Sequence, residues 1–157
     1  LPFEANKIEP LIRRMAQTGV DLIKVGVSDE NFKDAELALL STLCQQGIRI
    51  VLVLFAEHYK HNCDFKKLSN TGITGVMLDT GDKSSGALRE KLSGSTLQGF
   101  INKAKVHGLL SGLAGSLAGK DIAPLLELNP DYANSRHTNE KTGNCSYTLV
   151  TDSGVLT

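Results

Sequence analysis

Short apolar runs alternate with stretches of helical periodicity along this chain, and that alternation limits its fold more than any other feature. Five runs stand out, near residues 20–27, 48–55, 73–79, 109–115 and 131–136. Ile48-Arg49-Ile50-Val51-Leu52-Val53-Leu54-Phe55 is apolar at nearly every position, and Gly75-Val76-Met77-Leu78-Asp79 is apolar until its closing carboxylate. Strands buried on both faces read this way, and they belong to parallel sheets whose connections are covering helices. Between the runs, Ile8, Leu11, Ile12 and Met15 keep helical spacing up to a stop at Gly19. Phe32, Ala35, Leu39 and Leu43 do the same, opened by Asp29-Glu30-Asn31 and ended by Gly47. Leu97, Phe100, Ile101 and Ala104 form another, with Ser95 or Thr96 as cap and Gly108 as stop. Pro10 and Pro124 are each read in a helix's first turn, where proline is tolerated. The order predicts an α/β fold with parallel (β/α) winding. No Gly-x-Gly-x-x-Gly opens a helix, so there is no dinucleotide fingerprint.

Size restricts this further. A chain of 157 residues supports one domain with a core, but an eight-stranded barrel usually takes about 250. Seventeen basic residues balance seventeen acidic ones, which leaves no basic footprint for nucleic acid. No apolar stretch approaches the roughly 20 residues that span a bilayer. Leu1-Pro2-Phe3-Glu4 lacks a charged-then-apolar secretion start, and the absence of an initial methionine leads us to expect a natural start that has been removed. Cys44, Cys63 and Cys145 are odd in number and irregularly spaced, which argues against a disulfide framework and for a reducing, cytoplasmic setting. After Arg136 the character changes: residues 137–143 are polar and turn-like, and Tyr147-Thr148-Leu149-Val150 is an isolated strand candidate. The chain is therefore divided into a barrel-like part, 1–136, and an irregular tail, 137–157.

Several residues stand where chemistry is usually placed. Asp79 closes its strand at the carboxyl end, and Lys83 follows on the next loop. In alternating strand–helix proteins active sites lie at that end. A carboxylate and an amine held there can pass protons to a carbonyl compound or condense with it. Alternatively, Asp79 caps the next helix and Lys83 is a solvated loop charge. Lys24 interrupts an otherwise apolar strand, which is costly unless it faces a polar cavity or snorkels from an edge strand. Gly115 and Ser116 end a strand rich in small residues, where free N–H groups can hold a phosphate or small side chains merely permit tight packing. His58-x-x-His61-x-Cys63 invites a zinc reading, but no paired Cys-x-x-Cys or helical His-Glu-x-x-His supports it. That loop, with Glu57 and Tyr59, is expected to be a polar rim or plain surface without metal.

Four motifs occur in one order: Val20-Asp21-Leu22-Ile23-Lys24-Val25-Gly26; Val76-Met77-Leu78-Asp79-Thr80 with Lys83; Leu113-Ala114-Gly115-Ser116-Leu117; and Pro130-Asp131-Tyr132 up to Arg136. Together they resemble the (5-formylfuran-3-yl)methyl phosphate synthases of methanofuran biosynthesis, also called 4-HFC-P synthases, over residues 10–136. The resemblance implies a TIM-barrel-like (β/α) fold and a lyase. It implies condensation of two molecules of glyceraldehyde 3-phosphate to a furan aldehyde phosphate, with loss of phosphate and water and with no metal or nicotinamide cofactor. It places Lys24, Asp79 and Lys83 in catalysis, the first in proton transfer and the others as an acid/base pair. Gly115, Ser116 and Arg136 fall where substrate phosphate is held.

The chain also departs from the family. Five strands cannot close an eight-stranded barrel. The family's first three strands have no counterpart here, and with them goes the Schiff-base lysine of an Asp-Val-Lys-Asn-Pro-like motif. Ser135-Arg136-His137-Thr138-Asn139 replaces an Arg-Gly-containing strand end. The expectation is weak or no synthase activity from this chain, with a completing chain or homo-oligomer as partner. The competing readings are another phosphosugar aldolase-like enzyme with Lys24 or Lys83 as Schiff base, and a non-catalytic protein that binds phosphate esters or serves assembly.

Overall fold

A computed structural model describes residues 5–82, 84–117, 119–139 and 143–150; for residues 5, 6, 119, 134–139 and 143–150 the description is of the backbone. The strands are β1 (Ile23–Val27), β2 (Ile50–Phe55), β3 (Gly75–Asp79), β4 (Leu110–Ala114), β5 (Tyr132–Asn139) and β6 (Gly143–Val150). The helices are α1 (Ala5–Ala16), α2 (Asp34–Gln45), α3 (Phe65–Asn70), α4 (Leu88–Lys91), α5 (Gly94–Val106) and α6 (Gly119–Leu126). They form one sheet in the order β1-β2-β3-β4-β5-β6. The first five strands pair in parallel.

Strand order that follows chain order has a geometric consequence. Parallel crossovers are right-handed in nearly all proteins, and crossovers that all step the same way then put every helix on the same face. The packing agrees. Ile23, Val25 and Val27 of β1, Ile50, Leu52 and Leu54 of β2, Val76 and Leu78 of β3 and Leu113 of β4 share one core with Ile12, Leu40, Leu43, Leu68, Phe100, Ile101 and Leu125 of the helices. The alternate strand residues Val51, Val53, Met77, Ala114 and Tyr132 form a second, smaller cluster without helical members. This is the winding of a (β/α) barrel, open rather than closed. Among the described residues β1 pairs only with β2, and no helix is long and apolar enough to cross a membrane.

Burial follows position in the sheet. β2 and β3 are buried on both faces except for their last residues, while β1 alternates buried and exposed. Beyond β5 the sheet adds an antiparallel strand: Tyr132 pairs with Val150 and Asn139 with Gly143. That hairpin is longer than the four-residue candidate at 147–150.

Several local expectations are corrected. α2 starts at Asp34, not at residues 29–31. Asp29 instead accepts the Asn31 N–H at 2.9 Å in a turn, Glu30 is buried, and Glu36 accepts the Lys33 N–H at 2.8 Å to begin the helix. Ser93, not Ser95 or Thr96, caps α5; its hydroxyl accepts the Thr96 N–H at 3.2 Å. Pro10 and Pro124 lie inside α1 and α6, because both helices start earlier than their apolar periodicity does. The α1 stripe is only partly covered: Ile12 is 2% exposed, but Leu11 is 59% and Met15 46% exposed.

Candidate functional site

The face opposite the helices can be read from the register. Lys24 is level with Val51, Gly75 and Leu110; Gly26 with Val53, Met77, Gly112 and Tyr132; and Phe55 with Asp79. Lys24 and Asp79 therefore share this face, but Asp79 stands four residues nearer the carboxyl end, about 13 Å at a strand's usual rise. The two are brought to one surface without being brought into contact.

Lys24 is exposed, with its ammonium 5.7 Å from the centroid of the buried Tyr132 ring. Among the described residues the lysine is on an edge strand, on the face opposite the helices. Asp79 is half-buried, and its carboxylate accepts the Thr80 N–H at 2.7 Å. Its carbonyl accepts the Ala56 N–H at 2.8 Å, which joins the ends of β2 and β3.

Gly115 has φ +118°, a backbone conformation that side chains disfavour, and a Cβ there would lie 2.8 Å from the Thr80 nitrogen and hydroxyl oxygen. Only glycine lets the β4 end press against the β3 end this closely. Ser116 follows with φ 48°, exposed. Thr80 is 2% exposed, and its hydroxyl has no hydrogen-bond partner among the described residues. Of the remaining candidates, Lys83 lies outside the described residues. Arg136 is in β5 opposite Ser146, and its side chain lies outside the description.

Two carboxylates fix the loops at this end: Glu30, expected in a helix opening, and Glu57, expected in a polar rim or surface loop. Glu57, just after β2, accepts the N–H groups of Gly81 at 3.0 Å and Asp82 at 3.2 Å, and its oxygen lies 3.2 Å from the Lys91 ammonium. Burial pushes its pKa up, but these N–H groups and the ammonium outweigh burial and bring it down to about 2. The residues it grips immediately precede Lys83. Glu30, after β1, accepts the N–H groups of Lys60 at 2.7 Å and Asn62 at 2.8 Å in the β2 loop. Each carboxylate thus staples one strand's loop to its neighbour's. The available signal was an acidic residue shortly after a buried strand, but it does not name the acceptor's partners.

In the Glu57–Asp64 loop, burial and then the charge of Glu30 and Asp64 push the Cys63 thiol up to about 12. The thiol stays protonated. Among the described residues no three His, Cys, Asp or Glu side chains are grouped to hold a metal.

Comparison with known proteins adds what geometry does not. The family model described as 4-HFC-P synthase matches residues 1–149. A protein of Methylorubrum extorquens named putative (5-formylfuran-3-yl)methyl phosphate synthase is 37% identical over 131 residues, 83% of this chain and 54% of the relative. The (5-formylfuran-3-yl)methyl phosphate synthase of Methanosarcina acetivorans is 30% identical over 135 residues, 77% of this chain and 56% of the relative. That of Methanobrevibacter smithii is 30% identical over 168 residues, 97% of this chain and 71% of the relative. The chain thus spans little more than half the length of the first two curated relatives.

Proposed function

This chain belongs to the 4-HFC-P synthase family, and from that premise we propose that it carries the later strands of a (5-formylfuran-3-yl)methyl phosphate synthase. The reaction condenses two molecules of glyceraldehyde 3-phosphate into a furan aldehyde phosphate, with loss of phosphate and water. The observation that carries the reading is that Lys24 and Asp79 share the helix-free face of the sheet, with Gly115 and Ser116 at its carboxyl end.

The offset between Lys24 and Asp79 assigns them separate tasks, since about 13 Å is several times the reach of one proton transfer. Lys24, deeper on the face, moves a proton at one substrate molecule. Asp79, at the rim, acts with Lys83 as the acid/base pair in dehydration. N–H groups around Gly115 and Ser116, with the Arg136 guanidinium, hold the phosphate that stays and the one that leaves. Aldol-type chemistry also needs an amine nucleophile, and the motif that carries it in the family is absent from this sequence. A non-catalytic phosphate-ester-binding role at the same Gly115–Ser116 end is the second reading.

The test is to incubate the chain with glyceraldehyde 3-phosphate and follow phosphate release together with amide shifts of Gly115 and Ser116. We expect saturable shifts, weakened by Arg136→Ala, with little or no turnover. Turnover matching a full-length relative would show that a lysine of this chain serves as the nucleophile. Unshifted amides would remove the phosphate site.

A further inference from the structure

Lys24 and Tyr132 come from the first and fifth strands of the sheet, yet the ammonium sits 5.7 Å from the ring centroid, within cation–π range. A sheet that brings these strands' side chains together is curved toward its helix-free face. The ring is 1% exposed, and it lies across β4, where Gly112 is its register partner. A Cβ on Gly112 would be inside contact distance of the ring and 2.7 Å from the hydroxyl oxygen. The missing side chain on β4 therefore makes the socket that lays Tyr132 over toward β1. The phenol hydroxyl has no hydrogen-bond partner among the described residues, so no polar contact there accounts for the ring's placement. Burial, and then the charge of Asp131, raise the phenol's pKa, so the ring stays neutral and keeps its electron-rich face.

We infer that Tyr132 is a positioning residue for Lys24: its ring, seated on Gly112, holds the lysine's ammonium over the helix-free face. The inference deepens the proton-transfer role proposed above for Lys24 and rests on it for its functional meaning. The contact itself stands or falls separately. A flat π face two register positions deeper than the rim limits the rotamers of a long, exposed side chain.

The experiment is NMR of the intact chain with labelled lysine, Lys24 being assigned by the resonance that Lys24→Arg removes. The Lys24 Hε protons should lie upfield of those of the other lysines because of the ring current, and should show nuclear Overhauser contacts to the Tyr132 ring. Tyr132→Phe should keep both; Tyr132→Leu and Gly112→Ala should lose them. A wild-type chain without the upfield shift overturns the inference even if the leucine variant fails to fold, and so does a leucine variant that keeps the shift. Adding glyceraldehyde 3-phosphate separates the two proposals. A ring-shifted Lys24 in a chain that binds no phosphorylated aldehyde sinks the synthase reading alone, whereas aldehyde binding without the ring shift sinks the positioning role alone.

Discussion

β2 and β1 are neighbouring parallel strands with opposite surroundings. Both are short and rich in β-branched residues, but β2 lies between two strands and is buried on both faces, whereas β1, with one strand beside it among the described residues, carries Lys24 and Gly26 at its exposed positions. The helices repeat the contrast. Leu40 and Leu43 of α2 are fully covered, while Leu11 and Met15 of α1 are not. Burial in a wound sheet thus depends on the next unit along as much as on a unit's own residues. The edge that this leaves open also carries the amine proposed to act on substrate.

The contrast can be broken first at the centre. Leu78 on β3 is fully buried, so Leu78→Ala should cost about 2–5 kcal/mol in urea unfolding. A loss below about 1 kcal/mol would mean the centre is packed no better than the edge. Next is the staple that ties the edge to the centre. Glu30→Ala strands the N–H groups of Lys60 and Asn62, and a loss of about 1–3 kcal/mol is expected. Thermal melts that match the parent would show that water replaces the carboxylate there.

Glu57 provides the corresponding staple between β2 and β3, with a dependence on pH. Its pKa is lowered from 4.5 to about 2 by the Gly81 and Asp82 N–H groups and Lys91, against the effect of burial. Its contribution is complete above the unfolded value and is lost as pH falls from about 4.5 through 2. With solvent screening the size is about 1–2 kcal/mol. Melting temperature plotted against pH should have a shallower acid limb in Glu57→Gln; identical limbs would remove the assignment. The smallest effect belongs to the outer face of α1. Leu11→Ala should change stability by about 0.5 kcal/mol or less, and a Leu78-sized loss would show that something covers Leu11 in solution.

The same contrast explains what could be read from sequence. β2 and β3 were legible because central strands are apolar without interruption, a property of the residues themselves. The exposure of Leu11 was not, since its periodicity is that of any buried helix and only the neighbouring unit decides the rest. Asp79 was legible by its place at a strand end. Glu57, Glu30 and Tyr132 act on partners distant in sequence, and nothing local marks a carboxylate that will grip another loop's N–H groups. The starts of α2 and α5 were misplaced because acidic and hydroxyl residues cluster at both loci, and several of them can make the same local capping bond; Glu36 and Ser93 are the ones that do.

The central claim is that the sheet of the described residues is an open arc with β1 at one edge, and amide hydrogen exchange on this chain tests it directly. Ile23 donates to the Arg49 carbonyl at 2.9 Å; strand alternation then turns the Gly26 N–H away from β2, while Val53 lies between two paired strands. Gly26 should exchange faster than Val53 by about two orders of magnitude. Equal protection at the two amides would contradict an open edge and show that another strand covers β1.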